Sequence, residues 1–209
     1  MSWQDYFEYD DINECYSYKD KKVVSLPHDL PMPPIIDFTR LFAKCSKLQD
    51  ITALSSWDTS NVTSMNSMFY DCQRLQDITA LANWVVHNVK DMCGMFYVCH
   101  QLQNITALSN WDVSNVTNMK YMFSQCYQLQ DITALANWDI SNVIDTKDMF
   151  YGCYREADIT TLLGKSDNHN RPIIGESTLM FRWEINELKT HITRLEAKIA
   201  ELTEIIERK

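Results

Sequence analysis

Apolar positions along this chain follow two alternating rhythms. Over residues 60–72, SNVTSMNSMFYDC, the residues Val62, Met65, Phe69 and Cys72 fall three or four apart, the spacing of one apolar helix face. With Ser60 or Asn61 as N-cap, this spacing predicts a short helix. Over residues 48–54, LQDITAL, Leu48, Ile51 and Leu54 lie on a short segment whose Ile and Thr favour extended backbone. It predicts a strand.

The two signals recur together without a gap. Copies begin at Leu48 (LQDITALSSWDTSNVTSMNSMFYDCQR), Leu75, Leu102 and Leu129, a spacing of 27 residues, with a half copy LFAKCSK before them and a fading one, EADITTLLGK, after. One helix and one strand cannot bury an apolar face alone, so neighbouring copies are expected to stack at about 4.8 Å per copy. The expected fold is an α/β solenoid, a leucine-rich-repeat-like horseshoe of four to five 27-residue rungs, followed by a C-terminal coiled-coil helix. Leu48, Leu75, Leu102 and Leu129 would form one ladder, and Trp57, Trp84, Trp111 and Trp138 another.

The recurring motif WDxSNVxxMxxMFxxCxxLxxI closely resembles the BspA-like leucine-rich repeat surface proteins. The resemblance spans Asp37 to about Gly164. It implies a solenoid and adhesion to host or matrix proteins, and it carries over no catalytic residue. Two copies depart from the motif. The second has Val85, Val86 and His87 before its Asn, and the fourth has Thr146 in place of Met.

Outside the repeat the grammar changes. Residues 1–36 are rich in Tyr and Asp and run into the proline cluster LPHDLPMPP, which forbids regular helix. They read as an N-terminal cap on a solenoid spanning residues 37–165, because open solenoid ends need cover. Residues 166–176 read as a polar linker, and residues 177–209 as an oligomerisation helix. There Ile185, Ile192, Ile199 and Ile206 fall at heptad a, with Phe181, Leu188, Leu195 and Leu202 at d. Ile at a with Leu at d favours a parallel dimer, while Ile205 at g widens the apolar face and admits a trimer as the alternative.

Charge and cysteines narrow the function. The 209-residue chain carries a net charge of -9 with scattered acids, and no Lys/Arg cluster suited to a phosphate backbone. Nucleic acid is not an expected partner. The start MSWQDYFEYDDINECYSY lacks the basic, then apolar, pattern of a secretory signal, and no apolar run approaches membrane-spanning length. The expectation is a chain that is cytoplasmic as synthesised and not inserted in a membrane, with incorporation into a virus particle as one route outward.

Cys45, Cys72, Cys99, Cys126 and Cys153 share the 27-residue spacing. They read as buried, reduced core thiols, because side chains stacked in one direction are poorly placed for disulfides. His87, Cys93, Cys99 and His100 lack zinc-ligand spacing, so no metal and no cofactor is expected. Asn61, Asn104 and Asn115 begin Asn-x-Thr sequons, but Asn61, Asn88, Asn115 and Asn142 recur in every copy, which points to a cap or turn. Asp50 and Thr52, with their counterparts, form a regular polar stripe that reads as solvated scaffold or as a reader of something repetitive or cationic.

Variation gathers instead around Tyr70, Tyr97, Tyr121, Tyr127, Tyr151 and Tyr154, a residue type that offers large contact area at low entropy cost. They are the candidate partner-binding residues, for another protein. With no phosphate loop, Gly-rich turn or nucleophile elbow, the chain reads as a non-enzymatic structural or protein-binding module, self-associated through its C-terminal helix. An adhesin-like surface protein is the alternative, and an enzyme the least favoured class.

Overall fold

The computed structural model describes residues 1–153 together with Arg194 and Lys198. The chain divides into two units, Met1–Gly175 and Glu176–Lys209. Of the second unit only Arg194 and Lys198 are described, both helical and exposed. The predicted linker, Tyr154 and the heptad residues from Phe181 to Ile206 lie outside the described residues.

The repeat copies do not contain the predicted helix or the predicted strand. The short runs TALSS and TAL are single turns of 3-10 helix, at Thr52–Ser56, Thr79–Leu81, Thr106–Leu108 and Thr133–Leu135. The reason is an Asx turn at each entrance. Asp50, Asp77, Asn104 and Asp131 each accept the backbone N–H of the Thr two residues on, at 2.7–2.9 Å. A short side-chain acceptor offered to the local backbone outcompetes strand pairing. The polar stripe is thus the outer rim of these turns.

Residues 60–72 have the predicted apolar face, with Val62, Met65, Met68, Phe69 and Cys72 all at most 1 % exposed, but not the predicted backbone. Two residues per copy adopt left-handed conformation: Ser67 and Asp71 (φ 53° and 62°) in the first copy, Gly94 and Val98 (59° and 65°) in the second, Tyr121 and Gln125 (57° and 61°) in the third. Between them the chain makes three-residue turns, Met68 N–H to the Met65 carbonyl, Tyr70 to Ser67 and Cys72 to Phe69.

The alternate N–H groups leave the copy altogether. Those of Met65, Ser67, Phe69 and Asp71 donate to the carbonyls of Asp91, Cys93, Met95 and Tyr97 at 2.8–2.9 Å. An α-helix would have kept these donors within the copy at i−4; here neighbouring copies share them. Parallel bridges Asp37–Ser64, Ser64–Asp91, Asp91–Asn118 and Asn118–Asp145 keep the register. Carboxylates in that column alternate with Ser or Asn, so like charges are not immediate neighbours.

Side chains repeat the register in the core. Phe42, Phe69, Phe96, Phe123 and Phe150 stack face to face with centroids 5.6–5.7 Å apart and planes within 9°. Each Trp indole reaches back into the preceding copy, where Trp84, Trp111 and Trp138 donate to the Leu54, Leu81 and Leu108 carbonyls at 2.9–3.0 Å. The cysteines do likewise. The thiols of Cys72, Cys99, Cys126 and Cys153 donate at 3.2 Å to the carbonyls of Phe42, Phe69, Phe96 and Phe123, and all seven cysteines are free. Burial drives these thiols upward in pKa, Cys45 to about 11 and Cys153 to about 12, and Cys72, Cys99 and Cys126 well above the usual value.

Residues 1–36 complete the first copy by two devices. The hairpin of β1 (Phe7–Asp10) and β2 (Cys15–Tyr18) sets Phe7 and Tyr18 against the Phe42 ring at 6.0 and 5.6 Å, closing that end of the Phe stack. The proline segment then imitates a repeat turn. Leu30 N–H bonds to the Pro27 carbonyl, as Leu54 bonds to Ile51, and the Leu30 carbonyl accepts the Trp57 indole at 3.1 Å. Prolines suit this position because their φ fits a tight turn and the missing N–H is not needed there.

Candidate protein-binding edge

The left-handed residues that break the helix also expose an edge. In the first, second and fourth copies the residue that follows the buried Phe is part-exposed or exposed, whereas in the third it is buried. Tyr70, Tyr97, Ser124 and Tyr151 occupy this column. Tyr70 and Tyr97 stack with centroids 5.4 Å apart and planes 24° apart. In the third copy the column residue is Ser124, buried and bonded to the Tyr151 carbonyl at 3.3 Å, and its place beside Tyr97 is taken by Tyr121, 5.9 Å away. Tyr121 reaches there from one of the left-handed positions.

A cation sits at each end of this row of three rings. The Arg40 guanidinium lies 5.8 Å from the Tyr70 centroid, and the Lys120 ammonium 5.0 Å from that of Tyr121. Both distances are within cation–π range. Desolvation, then the neighbouring Tyr70, Tyr121, Tyr127 and Tyr151, push the Tyr97 hydroxyl up in pKa, so it remains a neutral donor at physiological pH. With ring faces occupied by one another and by the cations, the edges and hydroxyls are the parts of the row left for further contacts.

Five of the six predicted tyrosines lie among the described residues, and they fall into groups. Tyr70, Tyr97 and Tyr121 share the row. Tyr127 belongs to a second stack, ring to ring with His100 at 4.6 Å and 12°, its hydroxyl on Gln125 Oε1 at 3.3 Å. Tyr151 is the most open of the set, at 36 % exposure. Sequence reasoning missed Arg40 and Lys120. A signal was present for Arg40, which holds the same place in its half copy as Tyr121 does three periods later.

The other singled-out residues have local work. Asn88, Asn115 and Asn142 donate through Nδ2 to the carbonyls of Ser60, His87 and Ser114 in the preceding copy, each at 2.7 Å. The sequon residue Asn115 is therefore a link between copies. In the second copy, where Val85 replaces the usual Asp, the buried Thr59 hydroxyl bonds both the N–H and the carbonyl of Val85 at 3.0 Å. His87 and His100 are separate, His87 exposed and His100 on Tyr127. Among the described residues no three His, Cys, Asp or Glu side chains gather as metal ligands would, and no helix is long and apolar enough to cross a membrane.

A family model described as "Mycoplasma protein of unknown function, DUF285" matches residues 36–162. The chain belongs to the DUF285 family. Membership is consistent with the BspA-like resemblance of the repeat, and the matched span covers every stacked Phe, Trp and Cys described above. No curated protein and no solved structure matches the chain. The DUF285 description assigns no function, so the edge must be interpreted from its own chemistry.

Proposed function

We propose that this DUF285 chain is a non-enzymatic protein-binding or assembly module of the BspA-like type, with a stacked-copy solenoid as its scaffold and the tyrosine row as its contact surface. The observation that carries the reading is the Arg40–Tyr70–Tyr97–Tyr121–Lys120 row. Positions in the Phe, Trp and Cys ladders are the same in every copy because they must fit identical neighbours. The row is built from unlike residues across successive copies, as recognition of one irregular partner requires. Tyr hydroxyls and ring edges, flanked by cations, suit a protein surface with acceptors and carboxylates.

The heptad seam from Phe181 to Ile206 supports self-association as a parallel dimer, which would join two copies of the row in one molecule and allow avidity. Assembly into a larger particle fits this arrangement. The BspA-like resemblance of the repeat motif suggests a second reading, adhesion to a host or matrix protein.

Light scattering on the full chain and on a version ending at Lys165 tests self-association, with a dimer mass expected for the first and a monomer for the second; two monomers would remove the assembly reading. Surface plasmon resonance against immobilised matrix glycoproteins tests the adhesin reading, with binding that the combined substitution of Tyr70, Tyr97 and Tyr121 by Ser abolishes. Binding unchanged by that substitution would place the contact elsewhere.

A further inference from the structure

A second surface, on the 3-10 turn side of the copies, has a chemistry the tyrosine row lacks. Between the third and fourth copies lies a groove of about 370 Å³ lined by Gln103, Asn104, Thr106, Gln128, Gln130, Asp131 and Ala134. Its size falls at the small end of ligand pockets. The two turns that wall it are fixed by their Asx bonds, Asn104 Oδ1 to Thr106 N–H at 2.8 Å and Asp131 Oδ1 to Thr133 N–H at 2.8 Å. With Oδ1 engaged by the turn, Asn104 keeps its amide nitrogen for other contacts, while the Asp131 carboxylate takes both the backbone N–H and the side chain of Thr133. Among the described residues, Gln103, Gln128 and Gln130 make no side-chain hydrogen bond.

We propose that this groove binds a neutral carbohydrate, of about disaccharide size. Each carboxamide presents a donor and an acceptor side by side, the pattern complementary to a pair of adjacent hydroxyls. Four carboxamides and one carboxylate converge here, while the Ala134 and Thr106 methyl groups give the C–H face of a sugar ring an apolar rest. Asp131 is the sole charge, an acceptor for hydroxyls that repels anionic ligands. The corresponding positions between the first two copies carry Asp50, Arg74 and Asp77, a charged set that would pair within itself. The inference is independent of the tyrosine row.

Saturation-transfer NMR on the full chain with cellobiose, lactose, maltose and N,N′-diacetylchitobiose at millimolar concentration tests it. Transfer to at least one sugar is expected, and it should weaken about tenfold in apparent affinity in Gln103→Ala and Gln130→Ala, with melting temperature unchanged because both side chains are exposed. Tyr97→Ser should leave transfer intact. No transfer to any of the four sugars, or transfer that survives both Gln substitutions, would overturn the proposal.

Discussion

The core ladders and the tyrosine row are built from the same 27-residue copies, yet obey opposite rules. In the core, Phe69, Phe96 and Phe123 are identical and overlie one another with planes within 9°. At the edge, the equivalent of Tyr70 and Tyr97 in the next copy is a buried Ser, and a tyrosine from another position fills the gap. A core position must satisfy two neighbours of its own kind, so one residue type solves every copy. An edge position has solvent on one side and is free to differ. Sameness between copies therefore marks what holds them in register, and differences mark where that constraint is relaxed.

This contrast can be broken at its strongest point first. Trp111→Ala removes a 4 %-exposed aromatic and its bond to the Leu81 carbonyl, and should cost about 3–5 kcal/mol in denaturant unfolding. The loss should reach both adjacent copies, since each depends on its neighbour. Tyr97→Ser should cost about 1 kcal/mol, the scale of a stacked aromatic pair, because the side chain is half-exposed. Equal losses in the two variants would erase the distinction between ladder and edge.

Alkaline pH should act most strongly on the ladder, where burial raises the largest number of groups. The core thiols are held neutral, with folded pKa values raised above 9.0, Cys45 to about 11 and Cys153 to about 12. Their contribution is complete below the unfolded thiol pKa and is lost as pH rises through the folded values. Melting temperature should fall progressively from about pH 9 toward pH 11, and replacement of Cys99 and Cys126 by Ala should flatten that fall. A profile unchanged by these substitutions would mean the thiols are not held as the ladder requires.

The smallest expected effect is a gain. Val98 sits in left-handed backbone at φ 65°, where a β-branched side chain costs about 1–2 kcal/mol, whereas Gly94 four residues earlier is free of that cost. Val98→Gly should stabilise the chain by up to about 1 kcal/mol after the extra entropy of Gly. Loss of stability instead would show that the Val98 side chain packs usefully at the edge.

Much of this was legible in the sequence, and the failures share one cause. Burial of Leu48, Ile51, Met65, Phe69, Cys72 and the tryptophans followed from their spacing, and so did the inter-copy ladders. Backbone conformation did not. Met65, Met68, Phe69 and Cys72 have helical intervals, but turns with left-handed residues at 67 and 71 produce the same intervals while sending alternate N–H groups to the next copy. Glycine appears at those positions in two copies, Gly94 and Gly152, and was the available hint. The Asp-x-Thr Asx turns were equally readable, but the β preference of Ile and Thr was given more weight. At the site, the tyrosines were identified by type, while their grouping depended on which copy each left-handed residue turns toward.

Amide hydrogen exchange resolved by NMR over residues 62–72 and 89–99 tests the central claim, that each copy is held by backbone bonds to the next. Slow exchange is expected at Met65, Ser67, Phe69 and Asp71, and at the matching Met92, Gly94, Phe96 and Val98. Trp111→Ala, placed in the copy that receives the second set, should accelerate Met92, Gly94, Phe96 and Val98 more than Met65, Ser67, Phe69 and Asp71. Uniform protection along 62–72, insensitive to Trp111→Ala, would mean self-contained helices and would contradict the account.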